Sequence, residues 1–204
     1  MKKHYAFAIS LALAFVLAGS AGASGNGNSA DNMTPAAIGS TIADFKLPDL
    51  SGHEQKLSTL KGQNGTVLIF ISAQCPVVRD YMERISKLAA DYKARGVNVI
   101  GINSNASETI DDIKAHAAAN NLQIPVLKDK NNKVADQLGA ERTPEVFFLD
   151  ANNKLVYHGR IDNHRNVSLV NANDLRDAID ATLAGKPVVK TEASAFGCTI
   201  RRAS

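Results

Sequence analysis

The run Thr66-Val67-Leu68-Ile69-Phe70-Ile71-Ser72-Ala73-Gln74-Cys75-Pro76 decides how this chain is read. Its first six residues are almost all aliphatic or aromatic, the composition of a strand covered on both faces. Beyond Cys75 the rhythm changes. Val78, Tyr81, Met82, Ile85, Leu88, Ala89 and Tyr92 recur at i, i+3, i+4 and i+7 spacing, which predicts a helix from Pro76 to about Arg95, stopped by Gly96. Cys75 then stands at the N-cap, with Pro76 preset at N1. A sulfur in that place lies over unpaired backbone N–H groups and the positive end of the helix dipole, which favours thiolate over thiol. The thiolate is the nucleophilic form. The competing reading is a buried cysteine that behaves as a small hydrophobe.

Working outward, Asn105 followed by Glu108 reads as a capping box for a second helix carrying Ile110, Ile113 and Ala117. A third helix is predicted from Asp174 to Ala184, ended by Gly185 and Pro187. Apolar runs at Thr66–Ser72, Val97–Asn103, Glu145–Asp150 and Lys154–His158 read as strands, the last two joined by an Ala151-Asn152-Asn153 hairpin loop. Near the start, Phe45–Leu50 and Glu54–Leu60 bracket a turn at Ser51-Gly52-His53. The order ββ, β-α-β-α, ββ-α describes an α/β fold: a central mixed β-sheet flanked by helices on both faces, with an N-terminal β-hairpin.

Residues 1–23 read as an export signal: Lys2 and Lys3, an apolar stretch from Tyr5 to Ala18, then small residues up to Ala23. That stretch of about 14 residues is short of the ~20 a spanning helix needs. The expected location is therefore periplasmic or secreted, with no stable membrane insertion after cleavage. Residues 24–36, rich in Gly, Asn and Ser, are expected to be a flexible leader, 37–186 the folded domain, and 187–204 a flexible C-terminal tail carrying Cys198. Losing Lys2 and Lys3 takes the 23 Lys+Arg down by two against 20 Asp+Glu, so the remaining chain is near neutral. No run of basic residues or aromatic platform is present, and no nucleic-acid partner is expected. Cys75 and Cys198 are the two cysteines of the whole chain, so a single intramolecular pairing is open to them.

From Phe45 to Ala184 the chain resembles a thioredoxin-fold redoxin, of the peroxiredoxin-like, AhpC/TSA-related group that includes thiol:disulfide oxidoreductases. The resemblance rests on Asp44-Phe45-Lys46-Leu47-Pro48-Asp49-Leu50-Ser51-Gly52, the strand-to-Cys75-Pro76 step, Gly101-Ile102-Asn103-Ser104-Asn105, Thr143-Pro144-Glu145-Val146-Phe147-Phe148-Leu149-Asp150 and Leu155-Val156-Tyr157-His158-Gly159-Arg160-Ile161-Asp162. Phe196-Gly197-Cys198-Thr199-Ile200-Arg201 is similar to a C-terminal Gly-Cys-x-Ile-Lys/Arg element of the same subgroup.

The resemblance implies thiol chemistry. Cys75 fills the first place of a Cys-x-x-Cys motif and Val78 the second, so a near resolving thiol is missing. Peroxiredoxins proper carry Pro-x-x-x-Thr/Ser-x-x-Cys and a distant arginine. Here Ser72 and Cys75 meet the last part, Leu68 stands at the proline position and Pro144 at the arginine position, so any peroxidase activity is expected to be weak. Thr143-Pro144 matches the fold's cis-proline, which puts the Thr143 backbone against the attacking cysteine and a substrate peptide.

The expected site is thus Cys75 and Cys198 as catalytic pair, with Ser72, Pro76, Arg142, Thr143 and Pro144 around the substrate; Ser72 is read either as a hydrogen-bond partner of the thiolate or as a plain strand end. Cys198 is read either as a resolving thiol or as a static or stray one. Partners would be a thiol or disulfide protein, or a small peroxide, and an external reductant. No cofactor and no metal are implied. Two other readings are a catalytically idle peptide-binding module and, more remotely, a copper-handling protein, for which a second cysteine near Arg79 is missing.

Overall fold

The computed structural model describes residues 35–203; the expected signal and most of the expected leader lie outside the described residues. In chain order the elements are β1 (Lys46–Pro48), β2 (Glu54–Lys56), α1 (Leu57–Leu60), β3 (Gly65–Phe70), α2 (Pro76–Lys93), β4 (Val97–Asn103), α3 (Ile110–Ala119), β5 (Val126–Lys128), α4 (Lys133–Leu138), β6 (Arg142–Thr143), β7 (Glu145–Asp150), β8 (Leu155–Gly159), α5 (Asp174–Leu183) and β9 (Cys198–Thr199). Five strands form the central sheet in the order β5-β4-β3-β7-β8. β3 pairs parallel with β4 and antiparallel with β7, β4 pairs parallel with β5, and β7 pairs antiparallel with β8. The sheet is mixed, as the element order implied.

Strand β3 lies at the middle of this sheet with every residue buried. Its side chains alternate between two cores. Val67 and Ile69 pack with Val78, Tyr81 and Ile85 of α2 and with Leu175 and Ile179 of α5, while Leu68 and Phe70 join Leu57, Phe45, Val134 and Leu138 on the other face. Each such side chain contributes about 1.5–3 kcal/mol through burial. Helix α2 buries the stripe that its spacing predicted, and Gly96 takes a φ of 78° just past its end. Among the described residues no helix is long and apolar enough to cross a membrane.

Four expectations change. The strand expected over Glu54–Leu60 stops at Lys56 and turns into α1, because the Asp44 carboxylate accepts the Ser58 N–H at 2.9 Å and its hydroxyl at 2.7 Å and holds a helical turn that drops Leu57 into the core. Helix α3 starts at Ile110, capped by Thr109 and Asp112 in a reciprocal box, and not by Asn105 and Glu108. Helix α4 was not expected, being too short for apolar periodicity to show; it is held by buried Asp129, which accepts the Ala135 N–H at 3.0 Å and the Ser104 hydroxyl at 2.9 Å.

The fourth change concerns the tail. Its low apolar content predicted a mobile segment, yet it is laid against the domain by backbone hydrogen bonds to strand edges that would otherwise lack partners. Thr191 O accepts the His158 N–H at 2.9 Å, Ala193 N–H donates to His158 O at 3.1 Å, and β9 pairs antiparallel with β6. Ile200 then buries its side chain in the core on the α4 face of the sheet.

Because Leu68 is enclosed on all sides in the middle strand, Leu68→Ala is expected to lower the unfolding free energy by about 2–5 kcal/mol, read by urea denaturation.

Candidate active site

Cys75 is the N-cap of α2, with extended backbone (φ −87°, ψ 115°) and Pro76 next to it. Its sulfur makes no capping hydrogen bond; it donates instead to the carbonyl oxygen of Thr143 at 3.1 Å, across a peptide bond to Pro144 that is cis. Cys75 is 2 % exposed. Burial by itself pushes the thiol up, and the Thr143 carbonyl also favours the protonated form. Hydrogen bonding from the Cys198 thiol, the Val78 N–H and the Thr143 side chain outweighs both, so the Cys75 thiol sits below its ordinary value. Cys198 moves the other way: burial and the neighbouring Cys75 raise it to about 11. The two cysteines are unjoined, and the ionisable one is Cys75.

Cys198 reaches this place because the tail pairs with β6 in a fixed register, Thr143 opposite Cys198 and Arg142 opposite Thr199. The turn before β6 is held by the buried Glu145 carboxylate, which accepts the N–H groups of Glu141 (2.8 Å) and Arg142 (2.7 Å) through one oxygen and faces His158 Nε2 at 2.6 Å through the other. His158 stacks on Phe147 with ring centroids 4.2 Å apart. These contacts fix where Thr143 presents its carbonyl.

The loop leading to Cys75 is organised by Glu108. This carboxylate accepts the Ser72 hydroxyl, the N–H groups of Ala73 (2.9 Å) and Gln74 (3.1 Å), and the side-chain amides of Asn103 (2.5 Å) and Asn105 (3.1 Å). Asn103 turns its oxygen to the buried Lys128 Nζ at 2.8 Å, and Lys128 also donates to Asn105 O at 2.6 Å. Burial pushes the Glu108 carboxyl up, but so many donors hold it below its usual range. The charged form is the one this cradle fits.

Of the expected site residues, Cys75, Cys198, Thr143, Pro144 and Pro76 come together. Ser72 does not meet the sulfur: its hydroxyl is spent on Glu108, and its carbonyl accepts the Cys75 N–H at 3.4 Å. Arg142 is exposed, and its N–H serves the Glu145 cradle. The cation that acts on Cys198 is Arg165. Glu108 and Glu145 were missed. An acid three residues after an asparagine looks like a helix cap, and an acid at the head of a strand looks solvated, so neither carries a sequence signal of burial.

The AhpC/TSA family model matches residues 38–158. The chain belongs to the AhpC/TSA family. Within it the chain sides with thioredoxin-fold thiol-based oxidoreductases: the thiol-disulfide oxidoreductase ResA of Geobacillus kaustophilus is 29 % identical over 155 residues, covering 76 % of this chain and 87 % of the relative. A hypothetical protein of Sinorhizobium meliloti 1021, known from its crystal structure, is 37 % identical and superimposes with a TM-score of 0.76 over 84 % of this chain and 97 % of its own. Peroxidoxin BcpB of Mycobacterium tuberculosis shares the fold at 24 % identity, with a TM-score of 0.54 over 72 % of this chain and 94 % of its own. The AhpC/TSA match ends at His158, so it takes in Cys75 and the cis-proline but not Cys198.

Two measurements follow from this geometry. The Glu108 carboxyl titrates below its ordinary 4.5, so the stability it confers is complete above about pH 4.5 and is lost as pH falls through the folded value. Glu108→Gln is expected to flatten that acid limb and to cost about 2 kcal/mol at neutral pH, seen in urea titrations across pH 3–7. For Cys75, Cys198→Ala removes a donor to the sulfur, so the pH midpoint of its alkylation by iodoacetamide is expected to rise.

Proposed function

We propose that this protein is an exported thiol:disulfide oxidoreductase in which Cys75 is the nucleophile and Cys198 the resolving cysteine. The observation that carries the reading is that the tail sets Cys198 opposite Thr143, the residue whose carbonyl meets the Cys75 sulfur at 3.1 Å, and the two thiols shift each other's acidity in opposite directions. A low-pKa attacker suits the first step, and the second thiol, raised in part by the neighbouring Cys75, is freer to ionise once the Cys75 sulfur is bound in a mixed disulfide. Cys75 thiolate attacks one sulfur of a substrate disulfide; that S–S bond breaks and the departing substrate thiolate takes up a proton. Cys198 then loses its proton and attacks, as the thiolate, the Cys75 sulfur of the mixed disulfide; the bond from Cys75 to the substrate breaks and the second substrate sulfur takes up a proton. The substrate gains two electrons, and a Cys75–Cys198 disulfide is left for an external dithiol to reduce.

The same site would accept a small peroxide only with difficulty. Pro144 stands in the arginine position of peroxiredoxins proper, and the groups that set the acidity of Cys75 are thiol, hydroxyl and backbone donors. Export is supported by the reading of residues 1–23 and by the need for an environment in which disulfides persist. Val78 in the second cysteine place favours a different reading, a module that only binds peptides along the Thr143 edge. The acidity contrast between the two thiols speaks for chemistry.

Cys75→Ser is expected to abolish reduction of a model protein disulfide. Cys198→Ser should permit one turnover and then accumulate a mixed disulfide on Cys75, detected by mass spectrometry of the unreduced protein. Undiminished multiple turnover in Cys198→Ser would remove Cys198 from the cycle.

A further inference from the structure

Strand β6 is two residues long, and the chain lying along it is the protein's own tail. All but one position of that tail segment meets a specific demand. Gly197 has a φ of 148°, and a Cβ built on it would come within 2.0 Å of the Thr143 carbonyl oxygen, so only glycine fits there. Cys198 lies opposite Thr143, the residue whose carbonyl meets the Cys75 sulfur. Thr199 is exposed and selects nothing. Ile200 is 3 % exposed within an apolar cluster, and its N–H donates to Glu141 O at 2.9 Å. Arg201 adds two main-chain contacts, its N–H to Asn105 Oδ1 at 2.7 Å and its carbonyl to Ala106 N–H at 2.9 Å.

We propose that this edge is a docking surface for an extended polypeptide with glycine directly before its cysteine and an aliphatic residue two places after it, and that Gly197–Ile200 fill it as a built-in copy of that ligand. The inference rests on Cys75 being the reactive thiol and adds the substrate class and the way in. The contacts holding the segment are exchangeable in kind: main-chain hydrogen bonds that any strand can make, and one buried aliphatic side chain. Upstream, the bonds of Thr191 and Ala193 to β8 tether the tail after the segment lifts, so it competes with an incoming strand at high local concentration. With the segment seated Cys75 is closed to solvent, and a protein disulfide enters by taking its place. The same lifted segment returns Cys198 to the mixed disulfide afterwards.

The test uses the full chain and follows alkylation of Cys75 by iodoacetamide with peptide mapping. Ile200→Asp is expected to raise the rate roughly ten- to a hundredfold, the worth of burying one isoleucine. Gly197→Val is expected to act in the same direction through the clash at Thr143, and a cooperative melt shows that each variant is folded. A synthetic peptide matching residues 195–202, with serine in place of Cys198, should slow alkylation of the Ile200→Asp protein; the same peptide carrying Gly197→Val should not. Unchanged alkylation in both variants, or equal protection by the two peptides, overturns the proposal. Failure of the redox reading is separate: Cys75 would then titrate as an ordinary thiol while the rate ratio between variant and parent persisted.

Discussion

A sulfur held out of water at the mouth of a helix must find its hydrogen-bond partners inside the protein. Water cannot stabilise a Cys75 thiolate in the seated state, and the apolar packing around it opposes the charge. The donors that offset this come from distant parts of the chain: the thiol of Cys198, the side chain of Thr143, and the first turn of α2. The acidity of Cys75 is therefore a property of the seated tail as much as of the helix.

Two buried carboxylates hold the parts of this arrangement in place. Glu108 gathers the loop before Cys75 and, through Asn105, meets the tail at Arg201. Glu145 shapes the turn that presents Thr143. Each has its oxygens filled by donors, so neither is an uncompensated charge in the core. Asn105 is where the two sides join. Its amide serves the nucleophile loop and its oxygen serves the tail, which gives tail position a route to the geometry of residues 72–75.

Membership of the AhpC/TSA family sets the frame on which this is built, a strand ending in a cysteine opposite a cis-proline. The second thiol is supplied in an unusual manner. Where a Cys-x-x-Cys motif keeps both sulfurs on one helical turn, this chain brings the second from more than a hundred residues away. Delivery by a strand rather than by a helix turn fixes the second sulfur by register, opposite Thr143.

The apolar pattern by itself determined the mixed sheet, the helices α2 and α5 and the N-cap place of Cys75, and the family resemblance added the Thr143-Pro144 step. All of these are local in sequence: periodicity, a proline beside a cysteine, a strand run after a proline. Tertiary structure alone decided the seat of the tail, the destination of Ser72, the exposure of Arg142, and the burial of Glu108, Glu145 and Asp129. A polar side chain carries no mark of whether its hydrogen bonds will go to water or to backbone N–H groups brought near by folding. A polar tail, likewise, does not announce that an unpaired strand edge is waiting for it.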